Sequence, residues 1–220
     1  MNRSGAATDD LSPDGLPALL WLIRHAEVEE DYHRVFGGRI DMGLSARGHV
    51  QAAKLGDYLK SQPLEALYAS PMRRVEQTVA PLRSTRLPAP VVVPALREAD
   101  FGDWTGVAWD DIYTRFNVSP FDWLRLIEAG AIPNGDSAHT LRSRIEPCLR
   151  TILQSHPGRH TAIVCHGGVI RMVLAILLNW PLAQLSCFEI DYASLTQVAW
   201  IGSQAQLRLV NFAPWRDSAP

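Results

Sequence analysis

Four separated stretches carry residues suited to handling a phosphoryl group. Arg24 and His25 end the apolar run Leu20-Trp21-Leu22-Ile23, and Arg73 and Arg74 follow Ser70-Pro71-Met72. Glu98 lies in an acid-rich loop, and His166 follows the apolar run from Thr161 to Cys165 and precedes Gly167-Gly168. A guanidinium fork matches phosphate oxygens bidentately. Its charge also disfavours a second cation nearby, which lowers the pKa of an adjacent imidazole and keeps a lone pair available for attack. Arginines in the first turn of a helix oppose its dipole unless an anion sits at that end, and only one of Arg73 and Arg74 is expected to face a site. For any single stretch the plainer account is an element end with solvated charges. The chemical account therefore rests on all four together.

The elements that must position these residues alternate along the chain. Residues 20–27 read as a buried strand whose carboxyl end delivers polar groups to the rim of an open sheet. A polar loop at 29–39 precedes a helix capped by Ser45, with Ala52, Leu55 and Leu59 at helical spacing until Pro63. A short strand at 65–69 runs into Ser70-Pro71, read as a cap with Pro at the first helical position, and Met72, Val75, Val79 and Leu82 form the stripe behind it. Residues 91–93 suggest a third strand. Residues 109–116 and 121–129 read as short aromatic-rich helices, either a cap over a crevice or a satellite cluster on the core. A turn at 133–137 leads into a helix carrying Leu141, Ile145, Leu149 and Ile152, which Pro147 is expected to kink or interrupt. Thr161–Cys165 is the clearest buried strand, an apolar helix follows from Val169, and three more strands are expected at 187–191, 195–200 and 207–212. This alternation predicts an α/β fold in three layers, a mostly parallel central sheet flanked by helices, with a small helical cap inserted after the acid loop. The expected organisation is an N-terminal disordered tail at 1–17, one domain over 18–213 with its cap at about 104–135, and a C-terminal tail at 214–220.

A chain of 220 residues can bury one substantial core. Its net charge of −2 supplies no global field for nucleic acid or an anionic membrane, so neither is expected as a partner. Of the 21 basic residues all but Lys54 and Lys60 are Arg, a bias given little weight. Cys148, Cys165 and Cys187 are odd in number and widely spaced, which fits free thiols in a reducing compartment. With no signal-peptide-like apolar segment at the start and no long apolar run, a cytoplasmic location is expected.

Taken in order, five stretches resemble the histidine phosphatase superfamily, the phosphoglycerate mutase-like group. They are Leu-Ile-Arg-His-Ala-Glu at 22–27, Gly-Arg-Ile-Asp-Met-Gly-Leu-Ser-Ala-Arg-Gly-His-Val-Gln-Ala at 38–52, Ser-Pro-Met-Arg-Arg-Val-Glu-Gln-Thr at 70–78, Leu-Arg-Glu-Ala-Asp-Phe-Gly-Asp-Trp-Thr-Gly at 96–106 and Val-Cys-His-Gly-Gly-Val-Ile-Arg at 164–171. The resemblance implies a phosphomonoester hydrolase acting on a small phosphorylated metabolite, with His25 as nucleophile and Glu98 as proton donor and acceptor. It further implies that Arg24, Arg74 and His166 clamp phosphate, and that neither metal nor cofactor is needed. Asp31, Arg39 and Gly167 are candidate substrate contacts. The family's usual glycine after the His is Ala26 here, a common Asn is Asp31, and the common Pro-Gly-Glu-Ser turn is 133–137, with Asp136 within it. Only about 30 residues separate Gly106 from Pro133, whereas mutases of the family carry a longer insertion there, so the resemblance favours the phosphatase branch over phosphoryl transfer of the mutase type.

Two other classes compete. Cys165 to Arg171 spells Cys-x-x-Gly-x-x-Arg between a strand and a helix, the layout of a cysteine-based phosphatase loop. A non-catalytic phospholigand-binding module would keep the arginines but need neither His25 nor Glu98. Oligomeric state stays open, a homodimer among the options.

Overall fold

The computed structural model describes residues 18–84, 86–201 and 204–218; the tail expected at 1–17 lies outside the described residues. Six strands form one sheet, β1 (Ala18–Arg24), β2 (Ala66–Ala69), β3 (Val91–Val92), β4 (His160–Cys165), β5 (Leu195–Ile201) and β6 (Gln204–Phe212). Their order is β3-β2-β4-β1-β5-β6, with the first four mutually parallel and β5 and β6 antiparallel. The mostly parallel sheet follows the expectation, but residues 187–191 add no strand: Leu182–Cys187 is a 3-10 turn, and the chain then runs on to β5. Of that segment only Ile190 is buried.

β1 is central and buried on both faces, which explains its unbroken apolar sequence. Successive side chains point to opposite faces. Leu20 and Leu22 enter one core with Ile163 and Val198, while Trp21 and Ile23 enter the other with Leu67 and Val164. The first core is covered by α5 (Ala138–Ser155), α6 (Gly167–Leu178) and the short helices α3 (Trp109–Phe116) and α4 (Trp123–Ala129). The second is covered by α1 (Ala46–Leu59) and α2 (Arg73–Val79). Leu55 and Leu59 of α1 are wholly buried, each contributing about 1.5–3 kcal/mol. The Ser45 hydroxyl caps α1 by accepting from the Gly48 amide at 2.9 Å.

Three local expectations change. Ser70 is not the cap of α2, which starts at Arg73 with Met72 before it; the Ser70 hydroxyl is engaged by a histidine instead. Pro147 lies inside an unbroken α5. Burying Leu141, Ile145, Leu149 and Ile152 across both halves outweighs the single backbone bond Pro removes. The C-terminal tail begins as the helix α7 (Pro214–Asp217), where the Trp215 indole donates to the Tyr192 carbonyl at 2.8 Å. No helix among the described residues is long and apolar enough to cross a membrane.

Candidate active site

A crevice of about 310 Å³ opens at the carboxyl ends of β1 and β4, where an open parallel sheet presents its loops. Its floor includes Arg24, His25, Arg74, Glu98, Gly167 and Arg171. His25 follows the last residue of β1, and its imidazole is 5% exposed. The backbone there is fixed from both sides, with the His25 amide donating to the Cys165 carbonyl and the Ala193 amide donating to the His25 carbonyl, each at 3.0 Å. The His25 Nδ1 lies 2.8 Å from the Ala26 carbonyl oxygen. A carbonyl only accepts, so Nδ1 carries the hydrogen and Nε2 keeps the lone pair. Burial, with the charges of Arg74 and Arg24 behind it, holds the imidazole pKa well below its ordinary value, and the Ala26 bond offsets only part of this. His25 is a neutral ring with one uncommitted nitrogen, as attack on phosphorus demands.

Two guanidiniums flank it. Arg74 is 2% exposed and donates from Nη1 to the Ile40 carbonyl at 2.8 Å and from Nη2 to the Gly38 carbonyl at 2.9 Å, while Arg73 beside it is exposed. Arg24 donates from Nη1 to the Ile190 carbonyl at 2.6 Å and stacks over the Tyr192 ring at 4.1 Å. Its buried Nε–H has no acceptor among the described residues. A buried unpaired donor on a cation is costly unless a ligand oxygen takes it.

The Glu98 carboxylate is aimed by backbone. The Ala99 amide donates to Oε1 at 2.8 Å and the Gly168 amide to Oε2 at 3.2 Å. A Cβ on Gly168 would stand 2.6 Å from Oε1, so only glycine lets the carboxylate approach this closely. Of the residues singled out from the sequence, Arg24, His25, Arg74, Glu98 and Gly167 line the crevice together.

His166 does not line it. The Arg74 Nε–H donates to His166 Nδ1 at 3.2 Å, which leaves Nε2 as the protonated nitrogen, 2.7 Å from the Ser70 hydroxyl. The ring is wholly buried, and burial, followed by the charge of Arg74, holds its pKa well below the ordinary value. Both its nitrogens are engaged, one by Arg74, which does line the crevice. Asp31 and Arg39 are also absent from the lining. Asp31 is exposed, and Arg39 turns away to Asp100 at 3.5 Å and Asp136 at 3.9 Å. Asp136 accepts from the Asp100 amide at 2.9 Å and ties the acid loop to the start of α5, outside the crevice. Ala26 is buried among apolar side chains, its amide donating to Thr78 Oγ1 at 2.9 Å.

Cys165 also lies outside the crevice. Burial pushes its thiol pKa up, the opposite of what a nucleophilic thiolate needs, so the structure does not support the cysteine-based reading. Arg171, which that reading made a phosphate ligand, donates to the carbonyls of Leu185 at 3.3 Å, Phe188 at 3.3 Å and Gly167 at 3.4 Å. Burial and the neighbouring Arg24 bring its pKa down to about 10.

Sequence reasoning missed Tyr192 and Ser70 as site residues. Tyr192 lies 5.6 Å from the His25 ring, centroid to centroid, and precedes β5 by a few residues. The antiparallel pairing of β5 with β1 brings that segment to His25, and no local pattern announces it. Ser70 had a signal, but it was read as a helix cap.

The histidine phosphatase superfamily (branch 1) matches over residues 20–213. The chain belongs to that family. It is 26% identical over 198 residues to the adenosylcobalamin/alpha-ribazole phosphatase of Salmonella typhimurium, covering 90% of this chain and 98% of the relative. It is 26% identical over 179 residues to phosphoserine phosphatase 1 of Hydrogenobacter thermophilus, covering 81% and 85%. The solved mycobacterial glucosyl-3-phosphoglycerate phosphatase superposes with a TM-score of 0.77 at 26% identity, covering 89% of this chain and 99% of that one. This histidine phosphatase is accordingly a phosphoric monoester hydrolase.

Proposed function

We propose that this histidine phosphatase hydrolyses the phosphomonoester of a small molecule through a phosphohistidine at His25. The observation that carries the reading is the pairing of His25 Nδ1 with the Ala26 carbonyl, which leaves Nε2 as the free nitrogen of a neutral ring on the crevice floor. Nε2 attacks phosphorus, a nitrogen–phosphorus bond forms, and the bond to the leaving oxygen breaks as Glu98 hands that oxygen a proton. Water then attacks the phosphohistidine, Glu98 takes its proton, and phosphate departs with His25 restored. Arg24 and Arg74 stabilise the equatorial oxygens, and the unpaired Arg24 Nε–H supplies one donor ready for them. The names of the three relatives describe phosphomonoesters of quite different alcohols, which fits a shared floor under a variable wall.

The test is rapid acid- or base-quench of the enzyme with ³²P-labelled p-nitrophenyl phosphate, in the presence of EDTA. A base-stable, acid-labile label on wild type and on Cys165→Ser, absent from His25→Ala, is the expected result. A label that survives in His25→Ala, or turnover abolished by EDTA, would overturn the mechanism.

A further inference from the structure

Above the floor, the two sides of the crevice differ in chemistry. One side is a continuous aromatic run drawn from three separate segments: Trp109 stacks on Phe36 at 5.3 Å and 18°, Phe36 meets Phe101 at 5.0 Å, and Phe101 meets Trp123 edge-on at 5.6 Å. Phe36 and Phe101 are 3% and 6% exposed, while Trp109 and Trp123 are only half-buried, so the indoles are what this side offers an incoming group. The mutual packing fixes the indole planes before any ligand arrives. The lining also carries Glu189 and Asp191, the latter paired with Arg216.

The cations close to this wall are already committed. Arg171 lies 5.6 Å from the Trp123 ring and donates to the carbonyls of Leu185 and Phe188, in the segment before β5, and of Gly167. Arg34 stands over Trp109 at 5.8 Å but is paired with Asp110 at 2.7 Å. A carboxylate or second phosphate on the alcohol would meet Glu189, while the neighbouring guanidiniums of Arg171 and Arg34 already donate to protein acceptors. A flat, uncharged group meets two indoles.

Resting on the phosphatase reading above, we infer that the crevice selects phosphomonoesters whose alcohol carries an uncharged, planar apolar group, held on Trp109 and Trp123, over esters bearing a second anion. Trp109 and Trp123 are thus specificity determinants contributed by the inserted cap. Because aryl phosphates react faster for reasons of leaving-group acidity alone, the substrates that discriminate are alkyl esters: 2-phenylethyl phosphate, propyl phosphate and O-phosphoserine.

Wild type should show kcat/KM about tenfold or more higher for 2-phenylethyl phosphate than for propyl phosphate, a ratio ordinary for burying one ring against aromatic neighbours. O-Phosphoserine should be the poorest of the three. In Trp123→Ala and Trp109→Ala the ratio of phenylethyl to propyl should fall towards one, and Trp123→Phe should restore most of it, which separates loss of the wall from loss of the fold. Equal rates on the first two esters, or a preference for O-phosphoserine, would overturn the inference while leaving the phosphatase reading intact. If none of the esters is turned over, the phosphatase reading fails, and the wall is then read by binding. Phenylethylphosphonate should quench tryptophan fluorescence at concentrations about tenfold below those needed for propylphosphonate, and equal affinities would sink the slot by itself.

Discussion

The carboxyl ends of β1 and β4 are near duplicates. Each parallel strand stops one residue before a histidine, Arg24 pairs in register with Cys165, and the two imidazoles lie 5.2 Å apart. Both rings are buried, and both are held well below the ordinary pKa. Yet one has a nitrogen to spare and the other has none. His25 bonds only the Ala26 carbonyl, whereas His166 is gripped by Arg74 and Ser70. Strand-end placement and burial are thus common to both rings, and their hydrogen-bond partners are what set them apart.

Substitutions can break that comparison. His25→Ala should lower kcat by roughly 10⁴-fold or more, as removing a nucleophile does, measured on p-nitrophenyl phosphate. His166→Ala should cost about 10²-fold, because Arg74 loses its aim while the nucleophile remains. His166→Asn, which can still accept from Arg74 and donate to Ser70, should recover much of that loss. Equal, unrescued losses at both positions would mean that His166 contacts phosphate after all. Gly168→Ala should also cost about 10²-fold in kcat by displacing Glu98, with His25 labelling retained. Ser70→Ala removes a single bond to His166, and a loss of about fivefold is expected.

pH sharpens the same contrast. A depressed His25 pKa leaves the attacking nitrogen unprotonated as pH falls past 6.5, so the acidic limb of kcat/KM should lie below that value. Stability behaves differently. The unfolded chain takes up protons at about 6.5 that native His25 and His166 refuse, so stability is complete above that pH and declines as pH drops towards the native values. The urea midpoint should therefore fall between pH 7.5 and 5.5, and less so in His166→Gln.

The sheet and the residues that meet on the crevice floor were largely legible because their signals are local. Apolar runs mark β1 and β4, and the charged residues closing them mark the rim. What stayed hidden depends on contacts distant in sequence. The role of His166 is set by Ser70 and Arg74, nearly a hundred residues earlier. Tyr192 reaches His25 only through the antiparallel addition of β5. Arg39 read as a substrate contact because an exposed arginine in a glycine-rich loop resembles one, and its acidic partners come from two other segments. Pro147 shows the reverse error, a strong local rule overridden by the burial of a whole helix face.

The strand order has a consequence for synthesis. β1 is made first, yet its two neighbours in the sheet are β4 and β5, both from the last third of the chain. A polypeptide growing from its amino end must carry His25 on an unpaired strand until residues beyond 160 have emerged, and Ala193 and Tyr192 arrive later still. No nascent chain short of β5 holds the segment that braces His25, so the crevice is complete only once residues beyond 195 have been made.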